Sequence, residues 1–196
     1  MFSWRFGLQI HDCWVNRLRQ LILSTIHWRK TTPIFNLFKK AAGRMDPYQF
    51  KQGDFDVLEA VRVLLKNSKL PFEDIGAHYS HFITVEADKK VLGVVGLENC
   101  SGIGLLRSLA VDTGHRDKGL GKILVNRMIE YSCSLNISVL CLLTTTADGF
   151  FKRLGFEAIE RDALPAEIKT TAEFKSICPV SAICMKMRIR GDDGRD

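Results

Sequence analysis

The sequence predicts an α+β fold with a mixed sheet flanked by helices, and three patterns carry the prediction. His81-Phe82-Ile83-Thr84-Val85 and Val91-Leu92-Gly93-Val94-Val95-Gly96-Leu97 are apolar runs separated by the polar Asp88-Lys89-Lys90, which is the pattern of a β-hairpin. Ile103 to Val111 extends that hairpin into a three-stranded antiparallel meander. Beyond it a glycine-containing loop opens a helical pattern, which ends before Val139-Leu140-Cys141-Leu142-Leu143, a continuous apolar run suited to a buried parallel strand. Antiparallel strands followed by a parallel crossover make the sheet mixed.

The chain has 196 residues, 46% of them hydrophobic, and no internal repeat, which is enough for one substantial core. Its formal charge of +6 is unevenly placed: residues 1–45 hold eight Lys/Arg and one acid, so the remainder sums to −1. The basic balance therefore belongs to this stretch and gives the domain no nucleic-acid signature. Residues 1–45 read as a basic N-terminal extension, expected to be poorly ordered, with a transit segment or a surface amphipathic helix as alternatives. The domain is expected to occupy 46–190, and 191–196, without apolar residues, to be a disordered tail. No run approaches the ~20 apolar residues of a membrane span. The six cysteines, spread without metal-ligand spacing, read as reduced thiols of a reducing compartment, hence a cytoplasmic location, or an organelle if 1–45 act as a transit segment.

Phe55, Val57, Leu58, Val61, Leu64 and Leu65 form a helical stripe that stops near Asn67-Ser68. Pro71-Phe72-Glu73-Asp74 reads as a short helix or turn with proline at its start. Leu120, Ile123, Leu124, Arg127, Met128 and Tyr131 mark the helix over 119–134. A short helix over 147–153 is closed by Gly155, a strand follows over 156–159, a helix over 164–175 and a last strand over 182–189.

The loop Arg116-Asp117-Lys118-Gly119-Leu120-Gly121-Lys122 joins an apolar strand to a helix. Glycines there let successive N–H groups turn towards one point just ahead of the positive end of the helix dipole, which makes an anion cradle. Two familiar cradles are excluded: no acidic residue stands at the distance of a dinucleotide ribose contact, and Lys122 is followed by Ile123, not by Ser or Thr.

Arg116-x-x-Gly119-x-Gly121 between strand and helix, together with Phe150-Phe151-Lys152-Arg153-Leu154-Gly155-Phe156, resembles the GCN5-related N-acetyltransferase (GNAT) superfamily over roughly 55–187. The resemblance implies a splayed sheet with acetyl-CoA lying in the fork. Leu109, Ala110 and Val111 would then offer backbone groups to the pantetheine arm. Arg116, Asp117, Lys118, Gly119, Leu120, Gly121 and Lys122 would hold the pyrophosphate, with Thr144 and Phe151 also against the cofactor. Phe151 stands where the family usually has a tyrosine acting as general acid, and a phenyl ring donates nothing.

Acetyl transfer needs a neutral amine, a stabilised oxyanion and a proton for the leaving thiolate. Glu98, the first acid on a core-like strand, is the candidate base, and Thr145 a candidate donor, the threonines at the end of the buried strand being alternatively helix caps. Arg107, by alternation on the face of Leu105, Leu109 and Val111, is the candidate clamp for a substrate carboxylate, or else a simple partner of Glu98. Leu106-Arg107-Ser108-Leu109-Ala110-Val111 and Cys178-Pro179-x-Ser181-Ala182 resemble small stand-alone acetyltransferases found with arsenic-resistance genes. Leu142 to Asp148 resembles the acetyltransferase domain of N-acetylglutamate synthases. These resemblances add Ser108, Cys178 and Ser181 to the substrate side and imply an amino acid-like acceptor, with a homodimer left open and no resident metal. The rivals are a protein or peptide acetyltransferase and a non-catalytic acetyl-CoA-binding domain.

Overall fold

In the computed structural model, which describes residues 48–189, meander and crossover share one seven-stranded sheet. Its strands are β1 (Gln49–Gln52), β2 (Phe82–Ala87), β3 (Lys90–Cys100), β4 (Ile103–Val111), β5 (Val139–Thr144), β6 (Glu157–Ile159) and β7 (Ile183–Arg188). They lie in the order β1-β2-β3-β4-β5-β7-β6. Every neighbouring pair is antiparallel except β4–β5, which is parallel. The expectations for residues 1–45 and 191–196 lie outside the described residues.

The helices are α1 (Leu58–Asn67), α2 (Ile75–His78), α3 (Leu120–Ser134), α4 (Asp148–Arg153) and α5 (Ala166–Lys169), with a π-helical turn at Glu173–Ile177. On one face of the sheet, Leu120, Leu124, Val125 and Met128 of α3 pack on Val95, Leu97, Leu106 and Leu142. On the other, Val61, Leu64 and Leu65 of α1 meet Val94 and Ala110, while Leu164 and Ile168 cover Leu105, Cys141 and Cys184. Adjacent strand residues such as Val94 and Val95, or Cys141 and Leu142, thus enter different clusters, as the period of two requires.

Four local features depart from the expectations. The edge strand β1 was not foreseen, because Gln-Phe-Lys-Gln carries no run of apolar residues. Helix α2 begins at Ile75 and not at Pro71, since Ile75 is the first residue there with a fully buried anchor. The helix expected over 164–175 is broken in two. Thr170 and Thr171 donate their hydroxyls to Glu167 O and Ile168 O, side-chain bonds that compete with helix propagation.

The fourth concerns β4. Gly96 pairs with Arg107 and Val94 with Ala110, so Ser108 and Leu109 together oppose Val95, a β-bulge with Ser108 at φ +56°. The bulge inverts the alternation. Leu105 and Arg107 face one side, whereas Leu109 and Val111 join the α3 side, which corrects the expectation that all four share a face.

Candidate active site

Strands β4 and β5 pair only at Ile103–Val139, Gly104–Leu140 and Leu105–Cys141. Beyond Leu105 they separate, and β5 continues instead along β7 through Thr144. The separation opens a cleft of about 780 Å³, bordered by Leu106 to Val111 on one side and Leu142 to Ala147 on the other. Here β4 turns unpaired backbone groups towards a space, where an extended chain bearing amides can complete the ladder.

At the mouth of the fork β4 runs into the glycine loop. Gly119 has φ +81°, a left-handed conformation that favours glycine, and acts as N-cap of α3 without a side-chain bond. The first helical bond is Ile123 N–H to Gly119 O, so the N–H groups of Leu120, Gly121 and Lys122 precede the hydrogen-bond ladder. A Cβ added at Gly121 would stand 3.5 Å from the Phe150 ring and 3.9 Å from Val111. A side chain there would grow into the mouth. Arg116 and Lys122 border the cleft, with Arg116 Nε bonded to Val111 O at 3.2 Å. Lys118 donates instead to Gly114 O at 3.0 Å and does not border the cleft. Asp112 accepts from His115 and from Gly114 N–H and pairs with Lys90; the His115 hydrogen bond leads in holding its carboxyl below the usual range.

The other wall is set by α4. Thr144 Oγ1 accepts from Ala147 N–H at 3.0 Å and so closes the turn into α4, whose N-cap is Ala147 without a side-chain bond; Thr145 and Thr146 stay exposed, and none of the three threonines caps the helix. Phe156 N–H bonds Phe151 O and Gly155 N–H bonds Lys152 O, both at 3.1 Å, with Gly155 at φ +96°, which is a Schellman motif. Phe151 is 5% exposed and meets Phe156 edge-on at 5.5 Å, the apolar contact that accompanies such a motif. The Phe-x-x-x-Gly-Phe spacing is thus first a helix stop. Its neighbour Phe150, which the sequence reading passed over, borders the cleft beside Gly121.

At the inner end lies Arg107, with its side chain 1% exposed. Its NH2 group pairs with Asp74 at 2.8 Å and Glu173 at 3.2 Å, and its NH1 group with Glu98 at 3.3 Å. Burial opposes its charge, but the Asp74 hydrogen bond and the fields of Glu173 and Glu98 outweigh that and raise its pKa. The guanidinium is therefore not the free clamp expected; it pairs with Glu98, as the alternative had it, and with two further acids. Glu98 is held behind Arg107 and does not border the cleft, as a base would have to. Cys178 Sγ lies 3.1 Å from Glu173 Oε1, and burial first, then Glu173, pushes its thiol up to about 12.

Of the remaining expected residues, Ser108, Leu109, Ala110, Asp117, Thr145 and Cys178 border the cleft, whereas Ser181 is exposed and outside it. Asp74 and Glu173 escaped the sequence reading because nothing local marks them. Only the fold brings the approach to α2 and the π-helical turn onto Arg107. Among the described residues, no group of His, Cys, Asp and Glu could hold a metal ion, and no helix is long and apolar enough to cross a membrane.

Residues 78–158 match the family model described as Acetyltransferase (GNAT) domain. An uncharacterised N-acetyltransferase of Chlorobaculum tepidum is 30% identical over 107 residues, 54% of this chain and 66% of that protein. N-acetylglutamate synthase of Neisseria gonorrhoeae, solved with coenzyme A and N-acetyl-glutamate, superposes with a TM-score of 0.61 at 22% identity, over 74% of this chain and 35% of its own. Rv2747 of Mycobacterium tuberculosis, solved with CoA, gives a TM-score of 0.61 at 20% identity, over 71% and 98%. The ribosomal-protein-S18-alanine N-acetyltransferase of Escherichia coli gives 0.57 at 15%, over 74% and 97%. At these identities the solved structures carry the fold alone. The chain spans about two thirds of the curated relative and about a third of the synthase.

Proposed function

The chain carries an acetyltransferase domain of the GNAT family, and from that premise we propose that it is an acetyl-CoA-dependent N-acetyltransferase. It acetylates the amino group of a small, amino acid-like acceptor by direct attack in a ternary complex. The observation that carries this reading is the fork itself: two central strands part after Leu105, and a glycine loop with N–H groups ahead of the helical ladder stands at its mouth.

The residues fit the cofactor. Leu120, Gly121 and Lys122 would offer main-chain donors to its diphosphate, Arg116 and Lys122 add charge-assisted bonds, and β4 beyond Leu105 offers its backbone to the amides of the arm. When bound, acetyl-CoA supplies the acetyl group as a thioester. The chain's part is to align, to exclude water and to provide hydrogen bonds. An α-amino group with a pKa of about 7.7–8.0 is partly neutral at neutral pH, so a strong base is unnecessary. Thr145, the first exposed hydroxyl after β5, can donate a hydrogen bond during transfer, a role that the ring of Phe151 cannot fill. The finer likeness, to stand-alone enzymes accompanying arsenic-resistance genes, rests on the residue runs around Arg107 and Cys178.

The test pairs binding with turnover. Gly121→Phe should abolish calorimetric CoA binding while the thermal midpoint stays within a few degrees, and wild-type protein should release CoA thiol from acetyl-CoA only when an amino acid is added. Unchanged CoA affinity in the variant would mean that the loop has another use.

A further inference from the structure

The cleft has two ends of opposite charge. Its mouth carries Arg116 and Lys122, whereas its inner end carries Arg107 and Glu173, with Asp74 and Glu98 paired to the same guanidinium outside the lining. Among the described residues no second Lys or Arg pairs with any of these three carboxylates, so with all groups ionised the inner end is left at −2. Lys69, exposed at the rim, pairs with none of them. Cys178 adds no further negative charge, since its thiol is protonated at neutral pH.

A second, independent feature lies at the same place. Arg107 borders the cleft and is 4% exposed, yet among the described residues its Nε–H has no partner. A buried donor without an acceptor is costly and fits a ligand that brings an oxygen. The excess carboxylates call for a ligand that brings positive charge.

We propose that the acceptor is a basic amino acid or its amide: its carbonyl or carboxylate oxygen accepts from Arg107 Nε, and its second, non-reacting cation lies against Glu173, in the field of Asp74 and Glu98 on the same guanidinium. This deepens, and rests on, the acetyltransferase reading above. With the reacting amine neutral, a basic amino acid carries no net charge, a neutral one −1 and a dicarboxylic one −2. Electrostatics against an inner end of −2 therefore ranks them in that order. The N-acetyl-glutamate seen with the Neisseria synthase is on this ranking the wrong class for this chain.

The experiment uses the full chain, acetyl-CoA and four matched acceptors: lysine, norleucine, glutamate and the diamine left when lysine is decarboxylated. Thiol release gives kcat/KM, and mass analysis confirms the acetylated product. Lysine should exceed norleucine by about tenfold and glutamate by more, the diamine should show a raised KM because Nε–H regains no partner, and Asp74→Asn with Glu173→Gln should bring lysine and norleucine within about threefold. Glutamate equal to lysine, a diamine as good as lysine, or a preference that survives both substitutions would overturn the assignment. Calorimetry separates the two levels. Absence of CoA binding defeats the acetyltransferase reading and this inference with it, whereas CoA binding with glutamate preferred defeats the inference alone. If CoA binds and none of the four turns over, lysine must still bind the CoA-loaded protein more tightly than glutamate, or the inference falls.

Discussion

Replacing Arg107 with Gln should unfold the domain more readily before it tells anything about substrate. The side chain is 1% exposed and is the partner of three carboxylates, two of them on NH2 at 2.8 and 3.2 Å and one on NH1 at 3.3 Å. Removing one member of a buried ion pair costs about 3–5 kcal/mol, because it strands the charge left behind. Asp74, Glu98 and Glu173 are 31%, 15% and 11% exposed, so solvent takes up part of that charge, and the lower end, about 3 kcal/mol, is expected. With a urea slope of about 2 kcal/mol/M, the midpoint should fall by roughly 1.5 M. Adding Glu173→Gln should restore part of the loss, since one stranded charge is gone. A midpoint shift below about 0.5 M, or no recovery on adding Glu173→Gln, would refute the account of Arg107 as the counter-charge of this cluster.

Three further outcomes follow from single features. Thr144→Val removes the oxygen that accepts from Ala147 N–H in the turn before α4 and should cost about 1 kcal/mol, with hydrogen exchange quickened at Ala147 and not in α3. Ser108→Val places a β-branched residue at φ +56° and should destabilise by about 1–2 kcal/mol, while Ser108→Gly should be neutral or stabilising in the same denaturant titration. Cys178, with its thiol pushed up to about 12, should be alkylated at pH ~8 roughly a thousandfold more slowly than a free cysteine, measured by mass analysis of its peptide. Its contribution to stability has the corresponding sign, being present below the ordinary thiol pKa and lost as pH rises through about 12.

How much was legible follows from the range over which each signal acts. The meander, the loop and the helix stop were readable because each is written in neighbouring residues: apolar runs either side of a polar turn in β2 and β3, Gly119 at the loop, Gly155 after α4. The Arg107 cluster was half legible. A lone cation in an apolar strand demands a partner, and Glu98 was within reach by hairpin pairing, but Asp74 and Glu173 stand 33 and 66 residues away from Arg107 in sequence and arrive only through tertiary packing. The alternation on β4 was misread for a different reason. A bulge is one extra residue whose position is set by strand pairing, and Ser108 carries no glycine to announce its positive φ.

That bulge explains why the two halves of the cleft can be different kinds of surface. On an unbroken strand Arg107, Leu109 and Val111 would face the same side, and a cation with its ring of acids would sit in line with the apolar residues packed under α3. One inserted residue sends Arg107 to the face covered by α2 and the π-helical turn, where Asp74 and Glu173 wait, and leaves Leu109 and Val111 against the α3 side beside the loop. The same strand therefore supplies backbone to the mouth and a buried charge to the inner end without burying an ion among leucines. The Ser108 substitutions probe this link directly: if straightening β4 were possible at little cost, Ser108→Val would be tolerated and Arg107 would lose its acids, whereas a strand locked by its pairing to β3 keeps the bulge and takes the loss as strain.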